Sequence, residues 1–220
     1  MSPTAASRPA RPQNRPLLPP DRLLAAATSA FAELGFHGTT TRDIAAATGL
    51  SPAALYVHFP SKQELLFRIM RDAHATLLVE MREAASGTTN ATSRFAALVK
   101  AHVRFHAQHA MAARVANHEL PALSAARQRI VVGLRREIEQ MVDETLKSGV
   151  TTGEFSVRDV RRTTFFVLSA GIGVSRWFTP GGQLSPDEVA EEYAELLEAA
   201  VGARQDRRVR GRAAAGRTMP

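Results

Sequence analysis

The chain has 220 residues, 45% of them hydrophobic and 22% charged, a formal charge of +7 and no cysteine. It is long enough for a real core, and disulfides, thiolate metal sites and cysteine nucleophiles are excluded. The charge-free apolar stretch 163–175 is 13 residues, well short of the ~20 needed to cross a bilayer. The first 20 residues are proline-rich with no apolar core, so no secretory signal is expected there. These features fit a cytoplasmic protein with no membrane segment.

The positive charge sits in the ends. Residues 1–20 carry Arg8, Arg11 and Arg15 with no acid, and 203–220 carry six arginines against one aspartate, which leaves the body between them close to neutral. Net charge alone is therefore poor evidence of nucleic-acid binding, and the argument has to come from a motif. Residues 1–18 are expected to be a disordered basic arm and 203–220 a disordered Arg-rich tail, each too poor in apolar side chains to fold alone. The arm could enter a minor groove, or it could simply be solvated.

Between the tails, apolar residues recur at three- and four-residue intervals and no alternating β-branched run appears, so the fold is expected to be all-α, with about nine helices. Pro20 and Asp21 open the first helix, which ends at Gly35. Short helices follow at 41–48 and 51–59. Ser61 and Glu64 have the spacing of a reciprocal capping box, opening a long helix to about Ala85. Further helices are expected at 92–109, on to His118, from Pro121 to about Ser148, at 156–178 and at 185–201. A boundary near residue 68 would separate a three-helix unit, 19–68, from a larger helical unit, 69–202.

Segment 41–59 has the physics of a helix-turn-helix. Thr41 is placed to cap its first helix, and Ile44 and Ala45 give that helix an inner face. Gly49 supplies the positive φ of a tight turn, and Leu50 plugs the gap between helices. Ser51 caps the second helix, with Pro52 at its first turn, where the missing N–H costs nothing. Leu55 faces inward; Ala53, Ala54, Tyr56 and His58 face outward. With Lys62 nearby, Tyr56 and His58 suit phosphate contacts that fix register. A plain αα-hairpin gives no reason to expose them beside two caps.

The stretch 24–66, about a fifth of the chain, closely resembles the N-terminal signature of the TetR family of repressors. The matching positions include Ala27, Phe31, Gly35, Thr40, Thr41, Ile44, Ala45, Gly49, Leu55, Tyr56, Phe59, Lys62, Leu65 and Leu66. The resemblance implies an N-terminal helix-turn-helix DNA-binding domain followed by a helical ligand-binding and dimerisation domain. It implies that Thr41, Tyr56, His58 and Lys62 touch the DNA backbone and that Ser51, Pro52, Ala53 and Ala54 face base edges, with Thr40 and Arg42 completing the set. Because the second helix carries few hydrogen-bonding side chains, base readout would lean on Arg42, methyl contacts and DNA shape.

In the larger unit, Phe95, Leu98, Val99, His102, Phe105, His106 and His109 fall on one helical face. Histidines on an apolar face can line a pocket or core, lie at the surface, or, as the i,i+4 pair His102/His106, share a divalent ion. No carboxylate sits at an obvious ligand spacing, so no metal is assigned. Asn117 and Glu119 form a second polar cluster. Arg176 beside Trp177 either meets an anionic group of a ligand or caps carbonyls at its helix end. His102, Phe105, His106, His109, Asn117, Glu119, Arg176 and Trp177 are the candidate ligand-binding residues. The region 95–201 more weakly resembles the TetR subgroup controlling fatty-acid and steroid catabolism, some of whose members answer to acyl-CoA thioesters.

The expected partners are therefore a double-stranded DNA operator, a second copy of the chain docked through the last two helices, and a hydrophobic or acyl-CoA effector; no cofactor is expected. A phosphate-cradling glycine loop, a nucleophile elbow and an HExxH motif are all missing, so the chain offers catalysis no place. Two functions remain: a repressor released from a palindromic operator by its effector, or a dimeric DNA-binding protein that takes no ligand.

Overall fold

A computed structural model describes residues 19–203. The arm expected over 1–18 and all but the first residue of the tail expected over 203–220 lie outside the described residues. Among the described residues there are nine α-helices and no strand. They are α1 (Pro19–Gly38), α2 (Thr41–Thr48), α3 (Pro52–His58), α4 (Lys62–Ala85), α5 (Ala91–Gln108), α6 (Ala110–His118), α7 (Ala125–Thr151), α8 (Val160–Trp177) and α9 (Pro186–Ala200).

The first three helices close over a small apolar centre. Leu23, Ala27 and Phe31 of α1 meet Ile44 and Ala45 of α2, Leu55 of α3 and Leu65 and Leu66 of α4, all buried. Helix α4 runs unbroken through residue 68 and carries its apolar stripe onward through Ile69, Met70, Leu77, Leu78 and Met81. The first three helices are thus fixed to the rest through a continuous rod. Helix α5 lies at the centre of the remainder, packed by α4, α7, α8 and α9. The ion pairs Lys100–Glu191 and Arg104–Asp187 pin it to α9. No described helix is long and apolar enough to cross a membrane.

Several local expectations need correction. The cap of α2 is Thr40, not Thr41: Thr40 Oγ1 accepts from Asp43 N (3.2 Å), and Thr40 N donates to Asp43 Oδ2 (3.0 Å). The reciprocal box belongs there, and these bonds hold the Asp43 carboxyl below its usual pKa. At Ser61 only half a box forms. Glu64 N donates to Ser61 Oγ (3.1 Å), but the Glu64 carboxylate is drawn away to Arg127 of α7. The chain after His118 makes one 3-10 turn, Leu120–Ala122, so the long helix starts at Ala125 rather than Pro121. Residues 156–159 are not helical: Ser156 N donates to Val201 O (2.9 Å) and Asp159 caps α8. Leu50 is only partly buried.

Candidate DNA-reading face and effector cavity

Helices α2 and α3 are joined by Gly49 at φ 70°, a left-handed position that closes α2 by donating to carbonyls of its last turn. Ser51 Oγ then accepts from Ala54 N (3.1 Å), starting α3. Leu55 anchors α3 with no exposed surface, so the opposite side of the helix faces out. Arg42, Ser51, Pro52, Ala53, Tyr56 and His58 are exposed, Thr41 and Ala54 half-buried. Tyr56 Oη and Thr41 Oγ1 lie 3.2 Å apart, so the two outward hydroxyls steady one another across the helix pair. Lys62 is half-buried: Nζ donates to Phe36 O and Thr39 O (both 2.7 Å) and sits over the Phe36 ring at 4.3 Å. Two of its three donors therefore tie α4 to the end of α1, and one remains for a phosphate.

Some 20 residues further along the chain the chemistry changes. Helices α4 to α8 line a cavity of about 370 Å³ that opens to solvent on one side, within the range of small-molecule sites. Its walls are apolar (Leu77, Phe105, Ile138, Phe165, Leu168, Ile172), with His74, His102, His106, Asn117, Arg135 and Ser169 among them. Burial, the main cause, pushes His74 and His106 down to about 4 and His102 well below its usual value. At neutral pH all three rings are uncharged. His106 Nδ1 lies 2.8 Å from the His102 carbonyl and must carry the proton, because a carbonyl only accepts; Nε2 is left as an acceptor. By the same logic His74 Nδ1 donates to Met70 O (2.7 Å), and His74 Nε2 accepts from Arg135 Nε (3.0 Å).

Arg135 also donates to Ala116 O at 2.5 Å, so this half-buried cation joins α4, α6 and α7 and keeps N–H groups to spare. Gly171 makes the room for His102: a Cβ there would stand 2.1 Å from the ring's Nδ1. Arg136 and Glu139 mark the exposed rim. Among the described residues no three His, Asp or Glu side chains converge as a metal site.

Of the eight residues expected to meet a ligand, His102, Phe105, His106 and Asn117 line the cavity. Four do not. His109 is exposed, because α5 stops at Gln108 and the helical face ends before it. Glu119 points toward α1: Oε1 accepts from Phe36 N (3.2 Å), an amide freed where α1 departs from helical geometry at Gly35. Arg176 and Trp177 are exposed on the last turn of α8, with Trp177 stacked near Tyr193, and Arg176 borders a smaller cleft with Arg114, Glu119 and Gly35. His74, Arg135 and Ser169 were not anticipated. Nothing local marks the histidine of α4 as facing Arg135, 61 residues away.

A helix-turn-helix on a continuous helical rod, with a largely apolar cavity in the bundle behind it, defines a DNA-binding transcriptional regulator. Residues 23–69 match the family of bacterial regulatory proteins of the tetR type, and residues 88–201 match the tetracyclin repressor-like C-terminal domain. The chain is 30% identical to the HTH-type transcriptional repressor KstR2 of Rhodococcus jostii, over 80% of this chain and 87% of that one. Its fold superposes on the ketosteroid transcriptional regulator KstR2 of Mycobacterium tuberculosis with a TM-score of 0.79 at 26% identity, covering 84% and 95% of the two chains. It also superposes on AibR, seen in complex with isovaleryl coenzyme A and operator DNA, with a TM-score of 0.74 at 19% identity, covering 84% and 99%. The chain belongs to the TetR family, whose members are DNA-binding regulators and not enzymes.

Proposed function

We propose that the protein is a repressor that holds a palindromic operator as a homodimer and releases it when an amphipathic effector of the acyl-CoA thioester class enters the cavity. In this reading 19–68 reads DNA, while 69–202 senses the effector and dimerises. The observation that carries the proposal is the position of α6. Its Ala113, Ala116 and Asn117 line the cavity, while Glu119 at its end holds Phe36 N of α1. A ligand carbonyl or carboxylate that takes the spare N–H groups of Arg135 draws on the same guanidinium that holds Ala116 O of α6, and a ligand hydroxyl can donate to His106 Nε2. Either contact favours a different seat for α6, and Glu119 passes that change to α1. Operator affinity then falls by the effector's differential affinity for the two states.

Dimerisation through α8 and α9 is supported by their outer faces. Phe165 is 70% exposed, Phe166 54%, Trp177 50% and Leu196 67%, an apolar surface that a lone soluble chain would seldom leave uncovered. Pairing these helices with a second copy gives a two-fold assembly that matches a palindrome. The effector class rests on an apolar cavity with one fixed cation, on AibR with its isovaleryl coenzyme A, and on the ketosteroid regulator among the relatives.

The test is operator binding on the promoter region of the protein's own gene, titrated with isovaleryl-CoA, palmitoyl-CoA and a steroid-acid CoA thioester. Release by at least one thioester, and none by free coenzyme A, is expected. Selective DNA binding that no compound weakens would instead establish the ligand-independent dimeric DNA binder.

A further inference from the structure

Helix α3 exposes its least polar residues on the side opposite its buried anchor Leu55. With successive residues turning by about 100°, Ala53 and Val57 stand nearly opposite buried Leu55. Val57 is 80% exposed, the most exposed large apolar side chain among the described residues. Folding gives it no reason to be there. It packs on nothing, and a β-branched residue is a poorer helix former at an exposed position than alanine or a charged residue. The hydroxyls beside it are already engaged in local bonds: Ser51 Oγ accepts from Ala54 N, and Tyr56 Oη pairs with Thr41 Oγ1. The side opposite Leu55 thus presents two aliphatic side chains, Ala53 and Val57, neither of which carries a hydrogen-bonding group.

A base edge in the major groove offers a single apolar feature, the C5-methyl group of thymine. We propose that Ala53 and Val57 form a methyl-reading surface, so that each operator half-site carries one or two thymines whose C5-methyl groups pack against Val57. Val57 is then a specificity-determining residue, beyond the contact set that the sequence suggested. The inference rests on the DNA-reading role of α3.

Deoxyuridine tests it, because the exchange removes the methyl group and leaves every hydrogen-bonding atom of the base in place. The mapped operator would be made with single thymine-to-deoxyuridine changes and titrated by fluorescence anisotropy against the full-length protein and against Val57→Ala. For the wild type, deoxyuridine at one or two positions per half-site should weaken binding about three- to fivefold, the scale of burying one methyl group, with no effect at flanking thymines. Val57→Ala should bind the thymine and deoxyuridine operators alike. Wild-type binding that is indifferent to every exchange overturns the proposal without needing the variant. So does the same deoxyuridine sensitivity in Val57→Ala. Equal wild-type affinity for operator and scrambled duplex would remove sequence readout altogether and the inference with it, whereas operator preference without methyl sensitivity leaves DNA reading intact and removes the inference alone.

Discussion

The two working regions of this molecule are built by opposite rules. At the DNA-reading end the caps are placed by neighbours three residues away, Thr40 by Asp43 and Ser51 by Ala54, Tyr56 meets Thr41 across the Gly49 turn, and only Lys62 reaches further, back to Phe36 and Thr39. Arg42, Ser51, Tyr56 and His58 there are exposed. In the cavity the partners come from far along the chain, as His74 meets Arg135 and Gly171 yields to His102. There burial has stripped the histidines of charge, so they act as neutral acceptors beside a fixed cation. Local rules give a rigid surface that tolerates water. Long-range assembly gives an interior whose polarity depends on staying closed, and such an interior can respond to a guest.

Acid should break the comparison most strongly, since it acts on the cavity and leaves the DNA-reading helices without a comparable load. The native values of His74 and His106 lie below the unfolded value, so the unfolded chain binds more protons. Their stabilising contribution is therefore full above about pH 6.5 and is lost as pH falls toward about 4. Urea unfolding should show a drop on the order of 2–4 kcal/mol between pH 7 and pH 5. Unchanged stability over that interval would mean that the histidines are not buried as described.

Gly171→Ala should act next most strongly. Its methyl group would displace the His102 ring and should weaken effector binding about tenfold or more, while operator affinity stays within about twofold. Equal losses at both sites would show that the cavity and the reading face are not separable. At the other end, Tyr56→Phe removes one hydroxyl and its bond to Thr41. Operator affinity should fall about three- to tenfold, evenly across operator variants, with effector affinity unchanged; a changed base preference would assign Tyr56 to base reading instead. The smallest effect is expected from Glu119→Ala, which removes one contact between α6 and α1. Both ligands should still bind, with the factor by which effector weakens DNA binding reduced about two- to threefold.

The same division explains what could be read from the sequence. The helix count, the Gly49 turn, inward Ile44 and Leu55 and outward Tyr56 and His58 all follow from spacing within a dozen residues, and the structure agrees. Where a local rule had two equally good applications it misplaced the detail: Thr40 and Thr41 can each begin a helix, and only Asp43 chooses. The cavity was half legible. His102 and His106 stood out because they interrupt an apolar face, but His109 continues the same spacing past the end of α5. Glu119 and Arg176 drew attention as charges among apolar neighbours, yet one serves the junction with α1 and the other is exposed beside it. His74 and Arg135 each look ordinary on their own helices, and only their meeting across 61 residues gives them a role.

The central claim is that the cavity and the DNA-reading face are coupled, and coupling is reciprocal. Calorimetric titration of the steroid-acid, isovaleryl and palmitoyl CoA thioesters into the free protein and into the operator-bound protein measures it directly. At least one thioester should bind the free protein more tightly, by the same factor by which it weakens operator binding. Equal affinity for the two forms, or no binding by any of the three, would contradict the account.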